Sequence, residues 1–179
     1  MKTDTIIIDR TAASFEQAVR ETNKAAAYLG LSAQDAQSLT LMMEEALGLA
    51  RSIIGDTQVR FWIETEDRRI DLCLSTEAEL TKEMRYNLIN ASSSRQNEAA
   101  KGLFGKLRDN LEQSLAASEA PRAEEAIPQE LVNDVSGFFV TDPEWDGMER
   151  KLLKHMADDV KIAIRRRQVD ITVSKAFPK

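Results

Sequence analysis

A pair of adjacent carboxylates, Glu44 and Glu45, lies inside a segment whose apolar residues recur at helical spacing. Leu41 and Leu49 stand four residues before and after Glu45, so the Glu45 face of this helix is partly apolar. A carboxylate on such a face would have a raised pKa and act as a base, or it would be held in a salt bridge. The other interpretation of consecutive acids is a solvated helix edge, and the sequence leaves these alternatives open.

A cluster of lysines and glycines is the second candidate for chemistry. Lys101, Gly102, Gly105 and Lys106 offer ammonium groups and accessible backbone N–H groups of the kind that bind phosphate. Their spacing is not that of a P-loop, which needs Gly-x-x-x-x-Gly-Lys-Ser/Thr after a strand. The same residues lie in a helical pattern, so the alternative is that the glycines permit close helix packing.

The chain has one cysteine, Cys73, and one histidine, His155. One thiol cannot form an intrachain disulfide, and one Cys with one His cannot make a zinc site of the usual kinds. No serine has a His or Asp at a spacing that would make it a nucleophile. We therefore expect no metal site, and we expect His155 on a helix surface.

Composition bounds the class of protein. The 179 residues are 42% hydrophobic and 30% charged, which fits one folded domain over residues 1–179 and excludes wholesale disorder. The net charge of −6 does not suit a general polyanion binder. Arg165, Arg166 and Arg167 form a basic run, but without interleaved aromatic residues we do not expect nucleic-acid binding. No apolar run approaches the roughly 20 residues of a membrane helix, so we expect a cytoplasmic protein without a membrane partner.

Alternating apolar residues predict five strands, and the last four form two hairpins. Each hairpin buries one face, which helices must cover. In the third strand Leu72 and Leu74 point inward, which places Cys73 on the opposite face. The predicted strands cover residues 4–9, 57–66, 70–75, 160–165 and 169–174.

Helical periodicity and capping residues predict the covering layer. One helix starts with a capping box at Ser14 and ends at Gly30, and the next runs from Ser32 to Gly55. Further helices are predicted around residues 80–88, after Asn97 and from Asp142, with a loop at 91–96 and a mobile acidic linker at 119–130. The expected fold is α+β: a two-layer α/β sandwich, with a mixed, mostly antiparallel five-stranded sheet, helices on one face and a helical insertion.

Several segments in this order resemble one known family. Residues 28–32 (Tyr-Leu-Gly-Leu-Ser) join two helices, residues 39–47 carry the acidic pair followed by Ala, and residues 156–162 lead from a helix into a strand. Together with the closing stretch 169–177, they resemble the histidine-kinase-like (GHKL) ATPases, and within them the anti-sigma-factor serine kinases. The resemblance implies a Bergerat-like fold, ATP with Mg²⁺ as cofactor, and a nucleotide lid in the region of the helical insertion.

The resemblance also implies a first motif, Glu-x-x-x-Asn, which this chain lacks. In active members the Glu polarises the attacking group and the Asn carboxamide holds Mg²⁺. Counted from Glu45, the Asn position is Leu49, and counted from Glu44 it is Gly48. Neither residue has a side-chain oxygen to offer a hard cation.

Two glycine motifs of the family are also reduced. The resemblance implies Asp-x-Gly-x-Gly after the third strand, where the Asp binds the adenine amino group. Residues 75–79 offer one acid, Glu77, and no glycine, and the region before the last helix has the single glycine Gly147. Lys101, Gly102, Gly105 and Lys106 lie where the resemblance places the lid.

We therefore expect a non-catalytic regulatory module that binds a protein partner, as anti-sigma factors bind transcription regulators, with a degenerate ATP site and no cofactor. The alternative is a divergent ATP-binding protein or serine/threonine protein kinase of the anti-sigma-factor type. It would use Glu45 as the catalytic base, with Glu77, Gly147 and the lid-region cluster at the nucleotide. An unrelated α/β sandwich is a third interpretation, and the sequence also leaves a homodimer open.

Overall fold

The computed structural model describes residues 1–9, 11–55, 58–100 and 152–178. Three sequence predictions lie outside these ranges. They are the helix after residue 100, the linker at 119–130 and the start of the last helix at Asp142. Of that last helix, residues 152–156 are described, and they are helical.

The strands and helices of the described residues follow one another in the predicted order. The loop predicted at 91–96 follows the third helix, and a single 3-10 turn (Glu98–Ala100) comes after it. The elements are β1 (Ile6–Ile8), α1 (Ala12–Tyr28), α2 (Ala33–Ile54), β2 (Val59–Glu66), β3 (Arg69–Glu77), α3 (Lys82–Ala91), β4 (Asp159–Arg165) and β5 (Gln168–Ala176).

The five strands form one sheet in the order β1-β2-β3-β5-β4. The predicted α+β class and two-layer sandwich are confirmed. Every neighbouring pair of strands is antiparallel, so the described part of the sheet has no parallel pair and is more uniform than the expected mixed sheet. The reason lies in the chain's return after β3: β4 takes the outer edge, and β5 folds back between β4 and β3.

Strand alternation gives the sheet an inner face and an outer face. The inner face carries buried apolar residues such as Phe61, Leu72 and Ile171. These pack in one core with α1, α2 and α3, so the helices cover this face. Met42 and Leu47 of α2 are fully buried in that core. Burying side chains of this size contributes about 1.5–3 kcal/mol each, which fixes α2 against the sheet.

The first helix begins earlier than the capping box at Ser14 predicts. Thr11 is the N-cap of α1, and its side chain accepts a hydrogen bond from the Ser14 N–H at 3.3 Å. The Ser14 hydroxyl instead donates to the Asp9 carboxylate at 2.8 Å. Ser14 thus ties the helix to the preceding strand, a tertiary role that the capping pattern does not show. The predicted boundaries of α2 are confirmed, with Ser32 as N-cap and Gly55 as C-cap.

The Asp9 carboxylate organises the junction between β1 and α1. Its Oδ1 accepts hydrogen bonds from the Thr11 hydroxyl at 2.6 Å and from the Thr11 N–H at 2.8 Å. These bonds and the Ser14 hydroxyl lower the pKa of Asp9 from 3.8 to about 2. They stabilise the ionised form in the folded state only.

We expect the Asp9 network to give the protein part of its acid sensitivity. Because the folded pKa lies below the unfolded pKa, the stabilisation is complete above pH 4 and is lost as the pH falls from about 4 to 2. Asp9→Asn should therefore flatten the pH dependence of stability in that window, measured by urea unfolding at stepped pH. Asp4→Asn, which removes an exposed carboxylate just before β1, is the control. An unchanged slope in Asp9→Asn would contradict the assignment.

The outer edge of β4 is closed by the segment after α3. The Ser93 N–H donates to the Val160 carbonyl at 2.8 Å, and the Ser93 hydroxyl accepts from the Val160 N–H at 2.8 Å. The Asn97 carboxamide does the same at Ile164, donating to its carbonyl at 3.1 Å and accepting from its N–H at 2.8 Å. Unpaired groups on a sheet edge invite pairing with other chains. Residues 92–100 thus satisfy the edge-facing backbone groups of Val160 and Ile164.

Candidate functional site

Glu45, the sequence candidate for a catalytic base, lies in the second half of α2. Its side chain is half-buried, whereas Glu44 is exposed. Leu49, one turn further on, is 1% exposed and belongs to the hydrophobic core. The position at which the resemblance expects a Mg²⁺-binding Asn is therefore occupied by a core residue. Gly48, the position counted from Glu44, is half-buried and has no side chain to contribute.

The stretch 75–79, expected to hold adenine, continues the sheet instead of forming a glycine-type turn. Thr76 is buried, and its hydroxyl donates to the Gln58 carbonyl at 2.8 Å. Glu77 is the last residue of β3, pairs in register with Gln168 and is exposed. Beyond it, the Ala78 N–H donates to the Arg167 carbonyl at 2.8 Å. The stretch is thereby fastened to the β4–β5 turn.

The structure does not bring Glu45 and Glu77 together. Glu77 shares the outward register of β3 with Cys73 and Ser75, because alternate residues of a strand point to the same face. Glu45 belongs to α2, in the helical layer on the inner face. The remaining sequence candidates, Lys101, Gly102, Gly105, Lys106 and Gly147, lie outside the described residues. Their part in a nucleotide site stays a prediction.

A small cleft of about 240 Å³ lies between the start of α2 and the end of β5. Asp35, Met42, His155 and Lys175 are among its lining residues. The Lys175 ammonium is held by the Asp158 carboxylate at 2.9 Å. That carboxylate also accepts the Ala176 N–H at 2.8 Å, which is the main reason its pKa is lowered. The cleft thus has a cation that already has a partner. His155 is exposed, as expected from sequence.

A larger cavity, about 520 Å³, opens on the outer face of the sheet. Its floor is made of small side chains, Cys73 and Ser75 on β3 and Thr172 on β5. Trp62 and Arg60 of β2 border it on one side, and Asp170 and Gln168 of β5 border it on the other. We call this surface the outer-face groove. Sequence reasoning missed it, although an outward-facing Trp62 beside small outward-facing residues was a usable signal.

Polar contacts fix the aromatic side of the outer-face groove. The Trp62 indole N–H donates to the Glu64 carboxylate at 2.8 Å. The Lys2 ammonium pairs with the same carboxylate at 2.9 Å and lies 5.0 Å from the centre of the Trp62 ring. These bonds lower the pKa of Glu64, with the Lys2 contact as the largest cause. The Trp62 ring is therefore held at a fixed angle by an ion pair and a cation–π contact.

Cys73 has the surroundings of a structural thiol. Burial, followed by the charges of Glu64 and Asp71, raises the pKa of Cys73 to about 12. At neutral pH the side chain is then almost entirely thiol, which is a poor nucleophile. Its position on the outer face, opposite the inward Leu72 and Leu74, agrees with the sequence prediction.

Within residues 1–9, 11–55, 58–100 and 152–178, no group of three or more His, Cys, Asp or Glu side chains is placed to hold a metal ion. No helix in those ranges has both the length and the apolar character needed to cross a membrane.

The fold and the sites define an α+β protein with an antiparallel five-stranded sheet, one helical layer and an uncovered groove among the described residues. Comparison of the chain with protein families finds no match, and comparison with curated proteins finds no match either.

Proposed function

We propose that this protein is a non-catalytic regulatory module that binds a protein partner from a histidine-kinase-like ATPase scaffold, similar to an anti-sigma factor. One observation supports it most: Leu49 lies in the core where a Mg²⁺-binding Asn is expected. A magnesium ion needs oxygen ligands at close to octahedral geometry, and this position supplies none. The residues present therefore do not fit Mg-nucleotide as active members of the histidine-kinase-like family bind it.

A module of this kind acts by mass action alone. It lowers the free concentration of its partner when its own concentration exceeds the dissociation constant of the complex. We propose a cytoplasmic protein partner, with a transcription regulator as the class that the resemblance implies. In this mechanism the helical layer and sheet are a rigid support, and regulation comes from how much of the module is present.

Thermal unfolding with and without nucleotide distinguishes this proposal from the kinase alternative, because only a kinase must bind Mg-ATP. We expect no change in the thermal midpoint of the full chain when excess Mg-ATP or Mg-ADP is added. A ligand at about 100 times its dissociation constant would stabilise the fold by ~2.7 kcal/mol, or roughly 5–10 °C for this size. Nucleotide with EDTA in place of Mg²⁺ is the control for non-specific effects.

The opposite result would favour the alternative, a divergent ATP-binding protein or serine/threonine kinase. A Mg-dependent shift of that size would contradict the proposal. The observation that favours this alternative is the half-buried side chain of Glu45, which would be its catalytic base. Glu45→Gln would then abolish phosphate transfer to a protein substrate while preserving the thermal shift. Glu44→Gln, on the exposed neighbour, is its matched control.

A further inference from the structure

The register of the sheet aligns its outward side chains in rows that cross all five strands. One row runs Ile7, Arg60, Ser75, Asp170 and Ala163, from β1 to β4. Its cation lies on β2 and its anion on β5, with the small Ser75 of β3 between them. Its two ends are an exposed isoleucine and a small alanine. The row thus carries a positive charge on one side of β3 and a negative charge on the other.

A second row also has a cation at one end and an anion at the other. Lys2 bridges to Glu64 beside β1, and the row continues through Asp71 of β3 and Ser174 of β5 to Asp159 of β4. The cation is again on the β1–β2 side and an anion is on the β4–β5 side. Both Lys2 and Asp159 are at least partly accessible, with side-chain exposures of 58% and 35%.

We infer that the outer face of the sheet is the interface of a symmetric dimer of this chain, with its two-fold axis running along β3 between two facing sheets. Such an axis places one end of every row opposite the other end of the same row in the partner. In a two-fold interface, if one residue contacts a second residue of the partner, the second also contacts the partner's copy of the first. Arg60 then faces the partner's Asp170, and Lys2 faces the partner's Asp159. Each pair occurs twice, which gives four cross-subunit ion pairs.

The apolar and small residues of the face are complementary under the same operation. Ile7, which is 49% exposed, meets the partner's Ala163. Trp62 meets the partner's Thr172 across the outer-face groove, whose floor of Cys73 and Ser75 leaves room for it. A two-fold axis across the strands at Trp62 would instead oppose β2 to β2. It would pair Arg60 with the partner's Glu64, but it would leave Lys2, Asp159 and Asp170 without an opposite charge on the partner. The charge pattern therefore selects the axis along β3.

Two acids of β3, Asp71 and Glu77, approach their own copies at the axis, and the Asp71 contact is compensated. The Arg69 guanidinium already pairs with the Asp71 carboxylate at 3.0 Å, and Arg69 also donates to the Ser174 hydroxyl at 2.8 Å. Each copy brings a neutral Arg69–Asp71 pair to the axis, so the net repulsion between these pairs is small.

The size of the face suits a stable dimer. Four strands about 4.8 Å apart with four outward positions each, together with the single outward position of β1, give about 550 Å² per copy, or roughly 1,100 Å² in total. This exceeds the roughly 1,000 Å² expected of a specific interface. Facing sheets pack about 10 Å apart with their strands about 30° from each other, a distance that Arg60 and Asp170 side chains span together. A dimer through this face does not depend on the proposed function.

Charge reversal tests the interface on the full chain, by sedimentation velocity between about 1 and 100 µM. The wild type should be a dimer, and Arg60→Asp and Asp170→Arg should each raise the dissociation constant at least about tenfold, because like charges then oppose each other. An equimolar mixture of the two variants should form a heterodimer, since one supplies two acids and the other two cations at the same positions. The double variant should recover the wild-type dimer.

Folding and non-specific charge effects are controlled in the same series. Arg20→Asp, on the exposed face of α1, changes the net charge as Arg60→Asp does and should leave the dimer intact. Each variant is first compared with the wild type by circular dichroism and thermal unfolding. A monomeric wild type at 100 µM, or two single variants that do not associate when mixed, would overturn the inference.

Discussion

Replacing Leu49 by asparagine is expected to lower the free energy of unfolding by about 3–5 kcal/mol. The side chain is 1% exposed and lies in the core formed by α2 and the sheet. The substitution removes most of its apolar burial and places a carboxamide where its neighbours are apolar. The same change restores the Glu-x-x-x-Asn spacing from Glu45, so it tests the position's role directly.

The measurement is urea unfolding of Leu49→Asn beside Leu41→Asn. Leu41 lies two turns earlier on α2 but is 39% exposed, so the identical substitution there should cost less than about 1 kcal/mol. Thermal unfolding of Leu49→Asn with Mg-ATP should show no added stability. A Leu49→Asn protein as stable as the wild type and newly stabilised by Mg-ATP would place this residue at a nucleotide site and contradict the proposed function.

Replacing Asn97 by alanine is expected to cost about 2–4 kcal/mol of stability. Its carboxamide is 6% exposed and bonds both the N–H and the carbonyl of Ile164 on the edge of β4. It also accepts the Ala99 N–H at 3.2 Å, which shapes the turn that leaves the edge. Alanine would leave buried backbone groups of Ile164 without these partners.

Equilibrium unfolding and amide hydrogen exchange check this prediction together. Asn97→Ala should speed exchange at the Ile164 amide at least about tenfold, since the loss of its acceptor lowers the local opening free energy. Asn23→Ala, the same substitution at an exposed position of α1, is the control and should change stability by less than about 0.5 kcal/mol. Equal effects of the two variants would show that Asn97 does not hold the edge.

These two predictions bear on different parts of the molecule. Leu49 reports whether α2 serves the core or a nucleotide, and Asn97 reports how the chain that follows α3 is fastened to the sheet. Neither residue lies on the outer face, so neither substitution should alter the charge pairs proposed for the dimer. Folded Leu49→Asn and Asn97→Ala should therefore form dimers with the same dissociation constant as the wild type. Measuring their self-association tests whether dimer formation is independent of these two positions.

Local patterns were sufficient to predict most of the elements. Alternation of apolar residues placed the two hairpins because each strand has one buried face, and Ser32 and Gly55 marked α2 because a helix end needs a cap. The same alternation placed Cys73 outward. The sequence also predicted that residue 49 does not bind magnesium, because a leucine side chain has no oxygen to donate in any fold. These conclusions depend on neighbours within a few residues along the chain.

Contacts between distant parts of the chain decided the rest. Ser14 is drawn to Asp9, so Thr11 caps α1. Asn97 bonds to Ile164, which is 67 residues away in the sequence, and no local pattern predicts that bond.

The outer-face rows have the same origin. Arg60 and Asp170 share a row only because both β2 and β5 pair with β3 in one particular register. The sequence alone therefore determined the fold class and showed that residue 49 has no side-chain ligand for magnesium. The tertiary structure determined which charges face the same surface, because strand register is set by the packing of the whole inner face against the helices.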